Sequence, residues 1–167
     1  YLCAHSEIQE VIISGGEPLL YSNTDLAYRL RDLRSLPSVR RIRIHTRVWA
    51  HNPYRLDEKF CKLLARYNVT ALSVHLVHPV ELTTELVAAV DRLRASGART
   101  LLVGQTPLLK GINDDPAVLH ELFSGMVDLG IKPYYLLHNM PNTPGAAVRR
   151  TSVRRGVEIM LALGRNV

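Results

Sequence analysis

Apolar residues in this chain gather into five short runs at near-regular intervals: Val11–Ser14, Arg41–His45, Ala71–Leu76, Thr100–Gln105 and Pro133–His138. Each is rich in Val, Ile, Leu or Tyr and predicts a strand buried on both faces. The segments between them carry apolar residues at helical spacing. Leu26, Leu30 and Leu33 share one helical face, as do Phe60, Leu63, Leu64 and Tyr67, and Leu86, Val90 and Leu93. Leu119, Leu122, Phe123 and Met126 make a fourth stripe, and Val153, Val157 and Met160 a fifth.

The punctuation agrees with this alternation. Asp57 is placed to cap the second helix, and Asp115-Pro116 supplies a cap followed by proline at the first helical position. Gly97 and Gly130 follow helices where a left-handed closing residue is wanted. Strand–helix units repeated five times, joined by right-handed crossovers, predict an α/β domain with parallel strands, either a barrel or a doubly wound sheet. No linker or low-complexity stretch divides residues 1–167. Tyr1–His5 reads as the tail of a helix, and Arg165-Asn166-Val167 stands where a further strand is expected, so the chain is read as a fragment of one domain.

Parallel strand–helix folds collect their functional groups at the carboxyl ends of the strands. Here those ends carry Ser14-Gly15-Gly16-Glu17, then His45-Thr46-Arg47, then His75 and His78, then Gln105 and Thr106, then His138 and Asn139. The opposite ends begin with ordinary loop residues such as Ser38, Asn68, Arg99 and Lys132. This asymmetry predicts a site at one end of the sheet. The Gly15-Gly16 pair lets backbone approach a ligand closely. Its carbonyls, with the Glu17 carboxylate, make an acceptor cluster suited to an ammonium group, and Pro18 fixes the chain as it leaves.

Composition narrows the partners. The formal charge of +6 is spread, with local clusters at Arg40-Arg41-Arg43, Arg149-Arg150 and Arg154-Arg155. No aromatic platform accompanies them, so they are read as solvated faces and not as a nucleic-acid site. No apolar run approaches a membrane span, and the N-terminus lacks a signal architecture, which predicts a cytoplasmic protein. The only cysteines, Cys3 and Cys61, are expected to be small buried hydrophobes.

Ile12-Ile13-Ser14-Gly15-Gly16-Glu17-Pro18-Leu19 resembles the segment of radical S-adenosylmethionine (SAM) enzymes that holds the cofactor's methionine amino group. Ile42–Arg47, His75–Leu82, Gln105–Asp114 and Lys132–Leu136 are similar to successive signatures of the lysine 2,3-aminomutase family, in order over nearly the whole chain. The resemblance implies a partial TIM-like barrel of six strand–helix units, of which this chain holds the second to the sixth. It implies an isomerase using a [4Fe–4S] cluster, S-adenosyl-L-methionine and pyridoxal 5′-phosphate, with a flavodoxin- or ferredoxin-type reductant, an amino-acid substrate and possible homo-oligomers. By the same resemblance Ser14, Gly15, Gly16, Glu17, Arg47, His75 and Gln105 line the cofactor, and His138 and Asn139 are substrate-side candidates. Asn113 either holds its loop or touches ligand.

Three departures qualify that picture. The C-x3-C-x2-C cluster motif is absent, and so is the segment with the pyridoxal lysine, so this chain alone is expected to be inactive and to hold no metal through its own residues. Lysine-specific relatives carry an aspartate after the Pro-Tyr-Tyr strand, where this chain has Met140 within His138-Asn139-Met140-Pro141-Asn142. A substrate less cationic than lysine is therefore expected. Two rival readings remain: a non-catalytic barrel that binds SAM or another nucleotide, and a metal-dependent barrel hydrolase built on His45, His75, His78 and His138.

Overall fold

The five apolar runs lie side by side as one parallel sheet in the order β1-β2-β3-β4-β5 in this computed structural model, which describes residues 1–142 and 145–164. The strands are β1 (Glu10–Ile13), β2 (Arg41–Thr46), β3 (Ala71–His75), β4 (Leu101–Leu108) and β5 (Lys132–His138). Helices α1 (Asn23–Arg34), α3 (Glu58–Arg66), α4 (Thr84–Ala95) and α5 (Pro116–Asp128) form the crossovers. The short helices α2 (Val48–His51) and α6 (Ala146–Arg149) sit in loops, and α7 (Val153–Leu163) follows β5. Sequential strand order with every pair parallel is the wall of a partial TIM-like barrel. The closing Arg165-Asn166-Val167 lies outside the described residues.

Strand alternation sorts the side chains onto two faces. Ile42 and Ile44 of β2, Leu72 and Val74 of β3, and Leu102 and Leu108 of β4 pack into the core beneath the helices. Leu26, Leu30, Phe60, Leu64, Leu86, Val90, Leu93, Leu119, Leu122 and Met126 meet them from the helical side, all buried. The predicted stripes of α1, α3, α4 and α5 therefore face the sheet. The predicted caps also form: Asp57 accepts from Phe60 N at 2.7 Å and Asp115 from Ala117 N at 2.8 Å. Gly97 and Gly130 adopt φ of +77° and +62°.

Four expectations need correction. β3 is buried up to His75, its last residue; β1 and β5 are edge strands, and Ile12, Tyr135 and Leu137 are exposed on the concave face, which no helix covers. In α7 the buried residues are Ile159 and Leu163, while Val153, Val157 and Met160 are exposed. That helix is apolar on two sides, and packing against α5 selects the other one. Cys61 is buried as expected but Cys3 is exposed, because the turn that carries it, Leu2–Ala4, buries none of its residues. Arg43 is half-buried, not on a solvated face; it lies on the concave face with Glu10 Oε1 2.9 Å from its Nε.

Candidate functional site

The turn after β1 is built for close approach. Gly15 and Gly16 hold φ of +87° and +57°, a region that side chains with a Cβ rarely adopt. Nothing lies within 4 Å of the flank where a Cβ would project, so the turn is open on that side. Among the described residues no backbone donor occupies the Gly15 or Gly16 carbonyl. Glu17 stands behind them as a brace. Its Oε1 accepts from Leu19 N at 3.1 Å and from Thr46 Oγ1 at 2.6 Å, and its Oε2 accepts from Arg47 N at 2.8 Å. A carboxylate offers about four lone-pair positions, so Oε2 keeps one for a ligand. The carboxylate thus positions the glycine carbonyls first and contributes to the acceptor cluster second.

Similar braces run on around the rim. Arg47 Nη2 lies 3.1 Å from Glu81 Oε1, and Glu81 Oε2 accepts from Val77 N at 2.6 Å. Asn113 is fully buried and holds the next loop: its Oδ1 accepts from Leu109 N at 2.7 Å, and its Nδ2 donates to Val77 O and Pro107 O at 2.9 Å each. Asn113 therefore holds the loop. Thr46, one of the strand-end polar groups, and Glu81, which sequence reasoning gave no role, complete a continuous strap from β1 to β4.

Below the rim, register places Arg43 beside Ala71, His45 beside Ser73, His75 beside Gln105, and Gln105 beside Tyr135. The His45 and His75 rings meet edge to face with centroids 6.3 Å apart. Burial lowers both imidazole pKa values below the ordinary range. Arg43 and His75 add to the effect at His45; at His75 the Gln105 side chain and Glu17 oppose it while Arg47 reinforces it. Both rings are thus neutral near pH 7. Tyr135 reaches this face because a register shift between Gly104 and Gln105 leaves Tyr134 unmatched. Its hydroxyl pairs with that of Tyr134 at 3.3 Å, which raises its pKa, while Arg43 acts to lower it.

Ser14, Gly15, Gly16, Glu17, Arg47, His75 and Gln105 accordingly converge on one end of β1 to β4. His138 does not join them. It pairs in register with Leu108, on the helix side, and its Nε2 lies 2.9 Å from Thr151 O. Asn139 is half-buried next to it and engaged within the chain. His78 is spent on its own turn, with Nδ1 3.3 Å from Val80 N. Of the four histidines of the hydrolase reading only His45 and His75 come together, and among the described residues no group of three or more His, Cys, Asp or Glu could hold a metal ion. Cys3 and Cys61 make no cluster site either; burial pushes the Cys61 thiol up to about 11, away from the thiolate that ligation needs. Among the described residues no helix is long and apolar enough to cross a membrane.

Comparison with known proteins agrees with this geometry. The Radical SAM superfamily matches residues 2–123. The L-lysine 2,3-aminomutase of Haemophilus influenzae is 40% identical over 148 residues, 88% of this chain and 43% of the relative. That of Escherichia coli is 34% identical over 164 residues, 98% of this chain and 47% of the relative. The glutamate 2,3-aminomutase of Clostridioides difficile is 32% identical over 160 residues, 96% of this chain and 37% of the relative. The chain spans less than half the length of these curated relatives.

Proposed function

This chain belongs to the radical SAM superfamily, and from that premise we propose that the full-length gene product is an amino-acid 2,3-aminomutase, an isomerase that moves an α-amino group to the β-carbon. The observation that carries the reading is the open Gly15-Gly16 turn, whose unoccupied carbonyls and spare Glu17 lone pair suit the ammonium of SAM. His75 and Gln105 stand over the neighbouring strands as further polar contacts, and Arg47 fixes the rim between them through Glu81. SAM supplies a deoxyadenosyl radical when cleaved; the residues here bind and orient it.

The residues present do not fit the other two groups. Neither cysteine is placed to ligate a [4Fe–4S] cluster, and the one lysine of the five strands, Lys132, pairs with Val103 at the amino end of β5, away from the polar carboxyl ends. Both cofactors, the small reductant, the cytoplasmic location and any self-association are proposals for the whole protein, and this chain alone is proposed to be inactive. A substrate other than lysine is favoured by the state of the rim acids. Glu17, Glu81, Asp114 and Asp115 each serve the chain's own donors, which leaves no dedicated partner for a distal ammonium among them.

The test is anaerobic reconstitution of the full-length product, followed by assay of 5′-deoxyadenosine and β-amino acid formation on a panel of amino acids. Deoxyadenosine together with one β-amino acid is the expected result. Deoxyadenosine without a β-amino acid would remove the 2,3-shift. A folded protein with no cluster and no SAM cleavage would leave a binding-only barrel.

A further inference from the structure

We infer that Arg43, His45 and Ser73, on the concave face below the rim, form a subsite for a second carboxylate of the substrate, so that the enzyme acts on an acidic amino acid. This rests on the aminomutase reading for the word substrate, and on the structure for the anion.

The residues adjoin by construction. Ile42, Ile44, Leu72 and Val74 point into the core, which turns Arg43, His45, Ala71 and Ser73 to the other face, with Arg43 in register with Ala71 and His45 with Ser73. Four polar atoms there are buried without a hydrogen-bond partner: Arg43 Nε, His45 Nε2, Ser73 Oγ and His75 Nε2. Glu10 Oε1 is within 2.9 Å of the Arg43 Nε but off its N–H axis. Buried polar atoms are almost always paired, and each orphan costs about 1–3 kcal/mol. His45 Nε2, Ser73 Oγ and His75 Nε2 left unpaired together, beside an Arg43 ion-paired to Glu10, mark the place of a ligand and not separate defects.

Their chemistry selects the ligand. A guanidinium only donates, a hydroxyl can donate, and an imidazole Nε2 donates in one tautomer. An ammonium satisfies none of the guanidinium; a carboxylate satisfies all of these groups. The charged neighbours that act on His45 are Arg43 and His75, and both disfavour its protonation. The charge also limits the choice. One guanidinium, already opposed by Glu10, beside two neutral imidazoles suits a single negative charge better than a phosphate dianion.

The probe is glutarate, a dicarboxylate with no amino group and therefore unable to form an imine. In the full-length protein with labelled histidine, saturating glutarate should shift the His45 ring resonances, assigned through His45→Gln. Ser73→Ala and Arg43→Gln should weaken that response at least 10-fold, and butyrate should produce little of it. In turnover, an acidic amino acid should exceed its amide in kcat/KM by about 100-fold or more, with Ser73→Ala cutting that ratio about 10-fold. No glutarate response, or one indifferent to both variants, overturns the subsite even if aminomutase activity stands. Lower pyridoxal phosphate retention in Ser73→Ala with an unchanged acid-to-amide ratio overturns it in favour of the cofactor's phosphate. A glutarate response without deoxyadenosine from any amino acid keeps the anion site and overturns the substrate assignment.

Discussion

Asn113 spends its side-chain amide on three backbone groups, of Val77, Pro107 and Leu109. Asn113→Ala strands those groups in a buried place and should destabilise by about 2–4 kcal/mol, read from the denaturation midpoint. Asn113→Asp should be worse than alanine at pH 7, since it presents an anion to the Val77 and Pro107 carbonyls. Glu17 has the same character with a functional consequence. Glu17→Ala should cost about 2–3 kcal/mol and weaken SAM binding more than its effect on folding explains, because the glycine carbonyls lose their support. The histidine pair sets a pH response. Its folded pKa values lie below the ordinary 6.5, so above pH 6.5 neither state is protonated and stability is full. As pH falls, the unfolded chain takes up protons first and stability declines until the folded pKa values are reached. Replacing both His45 and His75 with Gln should flatten the stability profile below pH ~6.5, measured by urea titration at each pH.

Among the elements, the helices are locally specified. Asp57, Thr83, Asp115 and Ser152 each accept a backbone N–H in the first turn of the helix they precede. Asp57→Ala should remove about 1 kcal/mol, seen as a lower thermal midpoint with the cofactor site unaffected. The sheet edges behave differently. The bulge opposite Gly104 and Gln105 decides that Tyr135 faces inward, and the packing of α7 on α5 decides that Ile159 and Leu163 are covered. Neither choice is visible in a periodic pattern, because two apolar faces compete and only a neighbour settles which is buried.

Across the whole molecule, one strap of side chains ties the strand ends together: Glu17 to Thr46 and Arg47, Arg47 to Glu81, Glu81 to Val77, and Val77 through Asn113 to β4. A preorganised rim of this kind lets backbone carbonyls act as a fixed receptor. Glu81→Gln keeps an acceptor for Val77 N but loses the ion pair. It should cost only about 1 kcal/mol of stability, as half-exposed pairs do, while raising the Kd for SAM in a direct binding titration.

What the sequence determined by itself is everything local or periodic: five strands from their apolar runs, the helical stripes that meet them, the caps, the left-handed glycines, and the polar carboxyl ends that mark Ser14–Glu17, Arg47, His75 and Gln105. Hydrophobic period and capping act over a few residues, so one dimension suffices to read them. Only the tertiary structure decided which strand-end groups share a face. Parity and register turned His138 outward with Leu108, brought His45, Ser73 and Arg43 together, and gave Glu17, Glu81 and Asn113 partners from other loops. Those assignments depend on contacts between residues about thirty or more positions apart, and on the curl of the sheet, which arise only when the units pack.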